Sequence, residues 1–502
     1  MQKCGIIQKN TNREVAMLLS TLVKTIKYTG SVDERDVCHI TNNSLEAHSG
    51  SIFVCVKGFA TDGHIYARSA YERGCRVFVC EYSPENLPGD ATILLVENSR
   101  EALALLACEL YSNPSHKLLT IGITDTKGKT TSALMIKQLL DASGISTGYI
   151  GSNGVSYNAI KFETKNTTPE SYILQKYMHD MVNSGVRAVV MEISSQALKY
   201  ARVLGTKLDV ALFTNFSPDH IGPGEHPDIE DYFESKKALF DRFSPSTVIA
   251  NADDGYTEKI LADCTAKKIF YSTSVPADYL ARDIAPCKLN GALGMSFNCN
   301  STAYSLSVPG EFNIHNALST IAVAREVGID EQKIASALAS MSIEGRFETV
   351  ATPNGACFVI DYAHNGLSLS SSLTALRKYE PSRLICLFGS VGCRTQVRRT
   401  QMGEAASKLA DFSIITSDNP DTENPESIMN EIAAQYSERD TYICISDREK
   451  AIRYAFEMAQ KDDIILLAGK GHERYQLIDG KKVYFCEREI IESCINEVLL
   501  TK

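Results

Sequence analysis

Gly122-Ile-Thr-Asp125-Thr126-Lys127-Gly128-Lys129-Thr130-Thr131 is the stretch that decides how this chain folds. An apolar run over 118–124 precedes it, and a helical pattern over 130–142 follows. A strand, a tight glycine-containing loop and a helix start bring backbone amides and the positive end of a helix dipole to one point, which is an anion site. There Lys129 reaches the terminal phosphates of a nucleotide, and the Thr130 hydroxyl is placed to ligate Mg²⁺. The plain alternative is a strand–helix turn with no ligand. The tripeptide GKT is weak by itself, and its strand–loop–helix setting is what points to a nucleotide.

Outward from the loop, short β-branched runs alternate with helical stretches. Strands are expected over 51–56, 77–80, 118–124, 188–192, 210–214, 247–251, 357–361, 384–388, 412–415 and 464–468. Helices are expected over 101–111, 130–142, 312–327, 330–339, 402–409 and 425–435. That alternation implies an α/β fold with mostly parallel sheets. A chain of 502 residues exceeds what one core supports. Breaks near 98 and 345 give three domains, 1–98, 99–344 and 345–502.

Composition excludes several classes. Hydrophobic residues are 44% and charged residues 22%, ordinary for a globular protein. The net charge is −10 and no Lys/Arg run offers a phosphate-tracking surface, so no nucleic acid partner is expected. The 15 cysteines are scattered without metal-ligand spacing, which suits free thiols in the reducing cytoplasm. No apolar run approaches the length of a membrane span, and no membrane insertion is expected. The partners left are small molecules, and the chain is expected to act as a monomer.

Further segments carry a family resemblance. The loop resembles the G-[IV]-T-G-T-[NK]-G-K-[ST]-[ST] loop of the Mur ligases, with Asp125 where that pattern has Gly. Met191-Glu192-Ile-Ser194-Ser195-Gln196-Ala-Leu resembles MEVSSHAL, with Gln196 for His. Thr214-Asn215-Phe-Ser-Pro-Asp219-His220 resembles TN-x-x-x-DH, and Tyr232-Phe-Glu-Ser-Lys236 resembles Y-x-x-x-K. Asn166-Thr167-Thr168-Pro169 matches N-T-T-P, and also reads as a capped helix start with Thr168 as N-cap. In the first hundred residues, Asn43-Ser44-Leu45 through Gly50–Phe53 and Asp62-Gly63-His64 align with D-S-R-x-V-x-x-G-x-x-F and DGH. Past residue 300, the match continues through Asn313 and Asn316, Gly345-Arg346-Phe-Glu348, Asp361-Tyr-Ala-His364, Gly392-Cys393-Arg394 with Arg398 and Arg399, Asp418-Asn419-Pro420-Asp421, and Gly469-Lys-Gly-His472-Glu473.

The resemblance implies an N-terminal uridine-nucleotide domain, a central P-loop ATPase-like domain and a C-terminal Rossmann-like domain. It implies ATP-dependent joining of an amino acid to the D-Glu γ-carboxylate of UDP-N-acetylmuramoyl-L-Ala-D-Glu through an acyl phosphate. Asp125, Thr126, Lys127, Gly128, Lys129, Thr130, Thr131, Asn313, Arg346, Asp361 and His364 would bind ATP. Lys129, Glu192, His220 and Lys236 would be catalytic. Thr130, Glu192, His220 and a CO₂ carbamate on Lys236 would hold Mg²⁺. Ser44, Asn166, Thr167, Thr168, Ser194 and Arg202 would contact the UDP-sugar dipeptide. Arg394, Arg399, Asp418, Asn419, Asp421 and Glu473 would meet the incoming amino acid. The stretch 215–239 resembles the L-lysine-adding branch. Rival readings are another ligase of the superfamily, such as a folylpolyglutamate synthetase, and a non-catalytic nucleotide-binding relative. Asp125 motivates the second, since a carboxylate 4 Å from a phosphate repels it by about 1–4 kcal/mol.

Overall fold

The computed structural model describes residues 16–58, 61–219, 221–222, 224–289, 291–393, 396–437 and 441–500. Two compact units emerge. One runs to Ala133 and adds Gly144–Ala250 and Asp254–Ile269; the other takes Leu134–Ser143, Asn251–Asp253 and everything from Phe270 on.

After a short antiparallel ladder of 17–18 with 36–37, the first unit holds a four-stranded parallel sheet: β1 (His39–Thr41), β2 (Ser51–Val54), β3 (Val77–Cys80) and β4 (Thr92–Leu95), in that order. Ile40, Ile52, Val54, Val77, Val79 and Leu94 form the core of one sheet face. Helix α1 (Ser99–Leu110) covers that face with Ala102, Leu103, Leu106, Ala107 and Leu110, the spacing of one helical stripe. Asn98 caps α1 by accepting from the Arg100 and Glu101 amides. The N-terminal core thus extends into the helix that follows residue 98.

The larger sheet of this unit has the order β8-β7-β6-β9-β5-β10-β11. Its strands are β5 (Leu119–Thr124), β6 (Thr147–Gly151), β7 (Gly154–Tyr157), β8 (Ile160–Phe162), β9 (Ala188–Glu192), β10 (Val210–Phe213) and β11 (Thr247–Asn251). β6, β9, β5, β10 and β11 are parallel, with apolar side chains buried on both faces, and β7 and β8 add an antiparallel edge. Helices α2 (Lys129–Ala142), α3 (Ser171–Asn183), α4 (Ser195–Lys199) and α5 (Ile229–Asp241) connect them. Register matters most here. Glu192 pairs with Ile123 and Phe213 with Thr124, so the ends of β9 and β10 flank the loop after β5.

The second unit starts with an antiparallel meander, β12 (Tyr279–Leu289), β13 (Ala292–Cys299) and β14 (Thr302–Leu306), then α6 (Phe312–Glu326) and α7 (Glu331–Ala339). Its main sheet has the order β15-β16-β20-β17-β18-β19. These are β15 (Glu348–Ala351), β16 (Cys357–Asp361), β17 (Leu384–Phe388), β18 (Phe412–Thr416), β19 (Tyr442–Ile445) and β20 (Ile464–Ala468). All pair in parallel except β15. The late strand β20 sits between β16 and β17, the order change beside which open α/β sheets bind ligands at their carboxyl ends. Helices α8 (Gly366–Arg377), α9 (Gln396–Leu409), α10 (Pro425–Ala433) and α11 (Arg448–Met458) link the strands. A two-stranded hairpin, β21 (Tyr475–Ile478) and β22 (Lys481–Tyr484), and α12 (Glu487–Leu500) complete the unit. Among the described residues, no helix is long and apolar enough to cross a membrane.

Candidate active site

The loop after β5 is a packed cluster of charge. Asp125 is fully buried. Its Oδ1 accepts from Lys129 Nζ at 2.8 Å and its Oδ2 from the Thr214 hydroxyl at 2.6 Å. Its carbonyl oxygen accepts from both Lys129 and Lys236. The carboxylate therefore points under the loop and is met by a cation, which removes the geometry behind the expected repulsion of phosphate. Burial opposes the Lys129 charge, but Asp125 offsets it and raises the Lys129 pKa. The Lys127 amide donates to Asn215 Oδ1 at 2.9 Å, and the Thr126 hydroxyl lies 3.2 Å from the Tyr232 hydroxyl. Gly128 has φ +109°, a conformation that suits glycine.

Glu192, the last residue of β9, is fully buried. Its Oε1 accepts from the Tyr149 hydroxyl and the Ser152 amide; its Oε2 accepts from the Thr130 and Ser152 hydroxyls, each at 3.1 Å. A Cβ on Gly151 would come within 2.3 Å of Oε1, so that glycine makes room for the carboxylate. Thr130 and Glu192 together are a hard oxygen pair of the kind Mg²⁺ takes.

Lys236 lies on the buried face of α5 with Tyr232, Leu239 and Phe240. Only 2% exposed, its Nζ stands 4.6 Å from the centre of the Tyr232 ring. Burial first, and the Lys129 charge second, push its amine well below the usual lysine range. A lowered pKa favours the neutral amine, the form that adds CO₂.

The N-T-T-P segment corrects one expectation. Helix α3 begins at Ser171 with Glu170 in the cap position, so Thr168 is not its N-cap. Instead the Thr168 hydroxyl donates to the Glu192 carbonyl and accepts from the Ser194 amide, tying the segment to the end of β9. Thr167 reaches the Ser152 hydroxyl at 3.0 Å. Arg202 is engaged with Glu170 at 2.8 Å and with the Thr168 carbonyl at 3.2 Å. Asn166 and Ser44 lie on exposed or half-exposed turns, and Asn43 caps the second turn through the Leu45 amide.

In the second unit, Gly345-Arg346, Asp361–His364 and Gly469–Glu473 meet around Tyr362. Arg346 stacks 4.7 Å from that ring, and the His364 and His472 rings lie 4.8 and 4.9 Å from it. Asp361 accepts from the Phe347 amide and the Ser372 hydroxyl, and burial raises its pKa against the pull of Arg346. Asn313 donates to the Pro309 carbonyl and accepts from Asn316, which closes the start of α6. Gly345 has φ +68°, and a Cβ there would stand 2.0 Å from the His472 amide nitrogen. Gly345→Ala is expected to lower stability by about 1–3 kcal/mol through overpacking, read as an earlier urea midpoint; an unmoved midpoint would show that the two loops can separate freely.

The loops after β18 and β20 enclose a lysine that sequence reasoning left out. Lys470 is fully buried, and its Nζ donates to Asn419 Oδ1 at 2.7 Å and Glu473 Oε2 at 2.9 Å, with Asp418 at 3.5 Å. Asp418 and Glu473 therefore already face an ammonium. Asp421 has φ +54°, half-exposed, and its Oδ1 accepts from the Gly480 amide at 2.8 Å. Arg399 is a second correction. Its side chain is 2% exposed and held by Glu423 and Glu431, so it is not free for an incoming carboxylate. His220 and Arg394 lie outside the described residues.

Two other clusters are structural. Ser195, His226 and Asp231 line up as a hydroxyl–imidazole–carboxylate relay, but Ser195 and His226 are buried and Asp231 is paired with Lys199. Cys55, His64 and Cys80 are mutually close, but both His64 ring nitrogens are engaged, by Asp62 and by the Glu81 amide.

Comparison with known proteins agrees with this geometry. Residues 36–111 match the Mur ligase family catalytic domain, 123–324 the Mur ligase middle domain, and 345–471 the Mur ligase glutamate ligase domain. The chain belongs to the Mur ligase family. It is an ATP-dependent ligase with the three α/β domains of that family. It is 39% identical over 489 residues to a UDP-N-acetylmuramoyl-L-alanyl-D-glutamate--2,6-diaminopimelate ligase of Clostridium botulinum, covering 96% of this chain and 100% of that one. A ligase of the same name from Caldanaerobacter subterraneus subsp. tengcongensis is 39% identical over 485 residues, covering 96% and 98%. A solved structure of a ligase with that name superposes with TM-score 0.72 at 25% identity, covering 96% of this chain and 99% of that one. These Mur ligase relatives carry diaminopimelate in their names, not the L-lysine that 215–239 suggested.

Proposed function

We propose that this Mur ligase joins a diamino acid to the D-Glu γ-carboxylate of UDP-N-acetylmuramoyl-L-Ala-D-Glu, with ATP converted to ADP, in the cytoplasmic assembly of peptidoglycan precursors. The observation that carries the reading is the cluster of Lys129, Thr130, Glu192 and buried Lys236 around one loop at a helix N-terminus. Domain 1–98 takes the UDP end near Ser44, 99–344 the phosphates, and 345–502 the amino acid. The enzyme works as a monomer.

The chemistry follows from charge. The γ-carboxylate attacks the γ-phosphorus of ATP, giving an acyl phosphate and ADP. The incoming amine then attacks the acyl carbon, phosphate leaves, and the amide remains. Charge gathers on the transferring phosphoryl group. Lys129 meets it by exchanging Asp125 for phosphate oxygens. Thr130, Glu192, His220 and a carbamylated Lys236 would hold Mg²⁺, which when bound would supply the remaining positive charge. Asn166, Thr167, Thr168, Ser194 and Arg202 orient the dipeptide, Arg202 by exchanging Glu170 for its carboxylate. Asn313, Arg346, Asp361 and His364 serve the adenosine side. Folylpolyglutamate-type chemistry lacks a use for the uridine-like N-terminal segment, and a non-catalytic role loses its motive once Asp125 is paired.

For the incoming amino acid we favour L-lysine, then L-ornithine. Asp421 stands at the fourth position of Asp-Asn-Pro-x, where diaminopimelate-adding ligases carry an arginine for the second carboxylate. Arg399 is already neutralised by two glutamates. The second reading, 2,6-diaminopimelate, is favoured by the names of the relatives. The test is amino-acid-dependent phosphate release with UDP-N-acetylmuramoyl-L-Ala-D-Glu. We expect kcat/KM for L-lysine to exceed that for L-ornithine by about 10–200-fold, one methylene's worth, and that for meso-diaminopimelate by more. Preference for diaminopimelate would refute the lysine assignment and leave the ligase reading standing.

A further inference from the structure

We propose that Arg448, with Glu487 as its fixed counter-ion, is a positioning residue for the incoming amino acid. The proposal rests on reading the loops after β18 and β20 as the amino-acid pocket.

Arg448 opens helix α11, and its side chain is 0% exposed. Nε and Nη2 donate to Glu487 Oε1 at 2.9 and 2.8 Å. Nη2 also donates to the Ala468 carbonyl at 2.9 Å, and Nη1 to the Ser417 carbonyl at 3.2 Å. Ala468 is the last residue of β20, and Ser417 follows the last residue of β18. The next residues are Gly469-Lys470 on one strand and Asp418-Asn419 on the other. These are the groups that meet in the pocket.

Strands β18 and β20 do not pair with each other, because β17 lies between them. The sheet's hydrogen bonds therefore fix each loop only through a third strand. Arg448 bridges them directly. Its planar fork reaches two carbonyls and a carboxylate at once, which a lysine's single ammonium on a flexible stem does not reproduce. Glu487, 1% exposed at the start of α12, keeps the guanidinium in that plane and compensates its charge. The pair touches neither phosphate nor the acyl carbon in this reading. Its effect passes through Lys470, Asn419 and Glu473.

A purely structural ion pair makes a different prediction. Removing one partner of a buried pair strands a charge, whereas replacing both with apolar side chains is often tolerated. The decisive variant is therefore Arg448→Met with Glu487→Met in the full-length enzyme. We expect a thermal midpoint close to wild type, KM for the amino acid raised by between about tenfold and 100-fold, as small misplacements of a binding group produce, and KM for ATP and for the UDP-sugar dipeptide changed less than about twofold. Arg448→Lys is expected to fall between the double variant and wild type. If the double variant does not fold, Glu487→Gln carries the test, since it keeps shape and one hydrogen bond while removing the charge that holds the fork. An unchanged amino-acid KM in the folded variants, or parallel changes in all three constants, overturns the proposal. Glu473→Gln separates this from the pocket reading. If it raises the amino-acid KM and the Arg448 variants do not, only the role of Arg448 falls. If Glu473→Gln also leaves that KM unchanged, the pocket reading falls and takes the proposal with it.

Discussion

Lys236→Ala is expected to reduce ligase turnover by about 100-fold or more, the upper end of what loss of a metal-organising group costs, while ATP binding and fold are kept. The side chain sits on a helix face whose other buried members are Tyr232, Ser235, Leu239 and Phe240, so truncation leaves a small void rather than a broken helix. Two roles are in competition. As an ammonium, Lys236 would only brace the Asp125 carbonyl; as a carbamate, it would turn from cation to anion and hold metal. The depressed pKa favours the second, because a proton on the amine blocks the adduct. Added formate or acetate should partly restore the alanine variant, and degassed wild-type enzyme should regain activity on addition of bicarbonate. Full activity of the alanine variant would remove the carbamate from the mechanism.

Asp125→Gly is the second large effect, and it has two opposite signs. Without nucleotide, the variant leaves half-buried Lys129 without its carboxylate and Thr214 without one acceptor, a loss of about 1–3 kcal/mol for a stranded polar group. With ATP, Lys129 no longer has to leave Asp125 to reach phosphate. We expect ATP to bind more tightly by about 1.5–3 kcal/mol, the worth of the charged hydrogen bond that Lys129 no longer gives up. Asp125→Asn keeps an acceptor for Thr214 but still leaves Lys129 without a carboxylate, so it should recover part of the lost stability and keep the tighter binding. Calorimetric titration and thermal midpoints with and without ATP read both signs. Weaker ATP binding in both variants would mean that Asp125 holds the loop or the metal shell.

The sequence was most legible where chemistry is local. The strand–loop–helix around Lys129 appears within a residue or two of its expected bounds, and strands 77–80, 188–192, 247–251, 357–361, 384–388 and 464–468 match theirs. Those strands are apolar on both faces, and buried parallel strands read as unbroken runs. The meander β12–β14 was missed because its first strand alternates buried and exposed residues irregularly and contains Pro286. The site was less legible where contacts depend on strand order. Thr214 reaches Asp125 only because β10 flanks β5, and Tyr149 reaches Glu192 from β6 on the other side of β9. Arg399 illustrates the opposite failure. Its sequence neighbours suggested a free cation, but Glu423 and Glu431, well over a helix length downstream, fold back onto it. Lys470 was within a quoted motif, yet nothing local marked it as buried.

The hairpin β21–β22 has a consequence for how the pocket breathes. Two strands alone are marginal in water. This pair is anchored by the loop it adjoins: the Asp421 amide donates to the Leu477 carbonyl, the Asp479 and Gly480 amides donate to Asp421, and the Leu477 amide donates to Asn419. Few of its side chains are buried, so its ordering is borrowed from residues 419 and 421. Amide hydrogens of 475–484 should therefore exchange with solvent through a local opening far below the global unfolding free energy. That opening detaches the hairpin from the same loop that we propose faces the incoming amino acid. The exchange rate of this short segment becomes a clock for access to the pocket, slowed by any ligand that tightens residues 418–421.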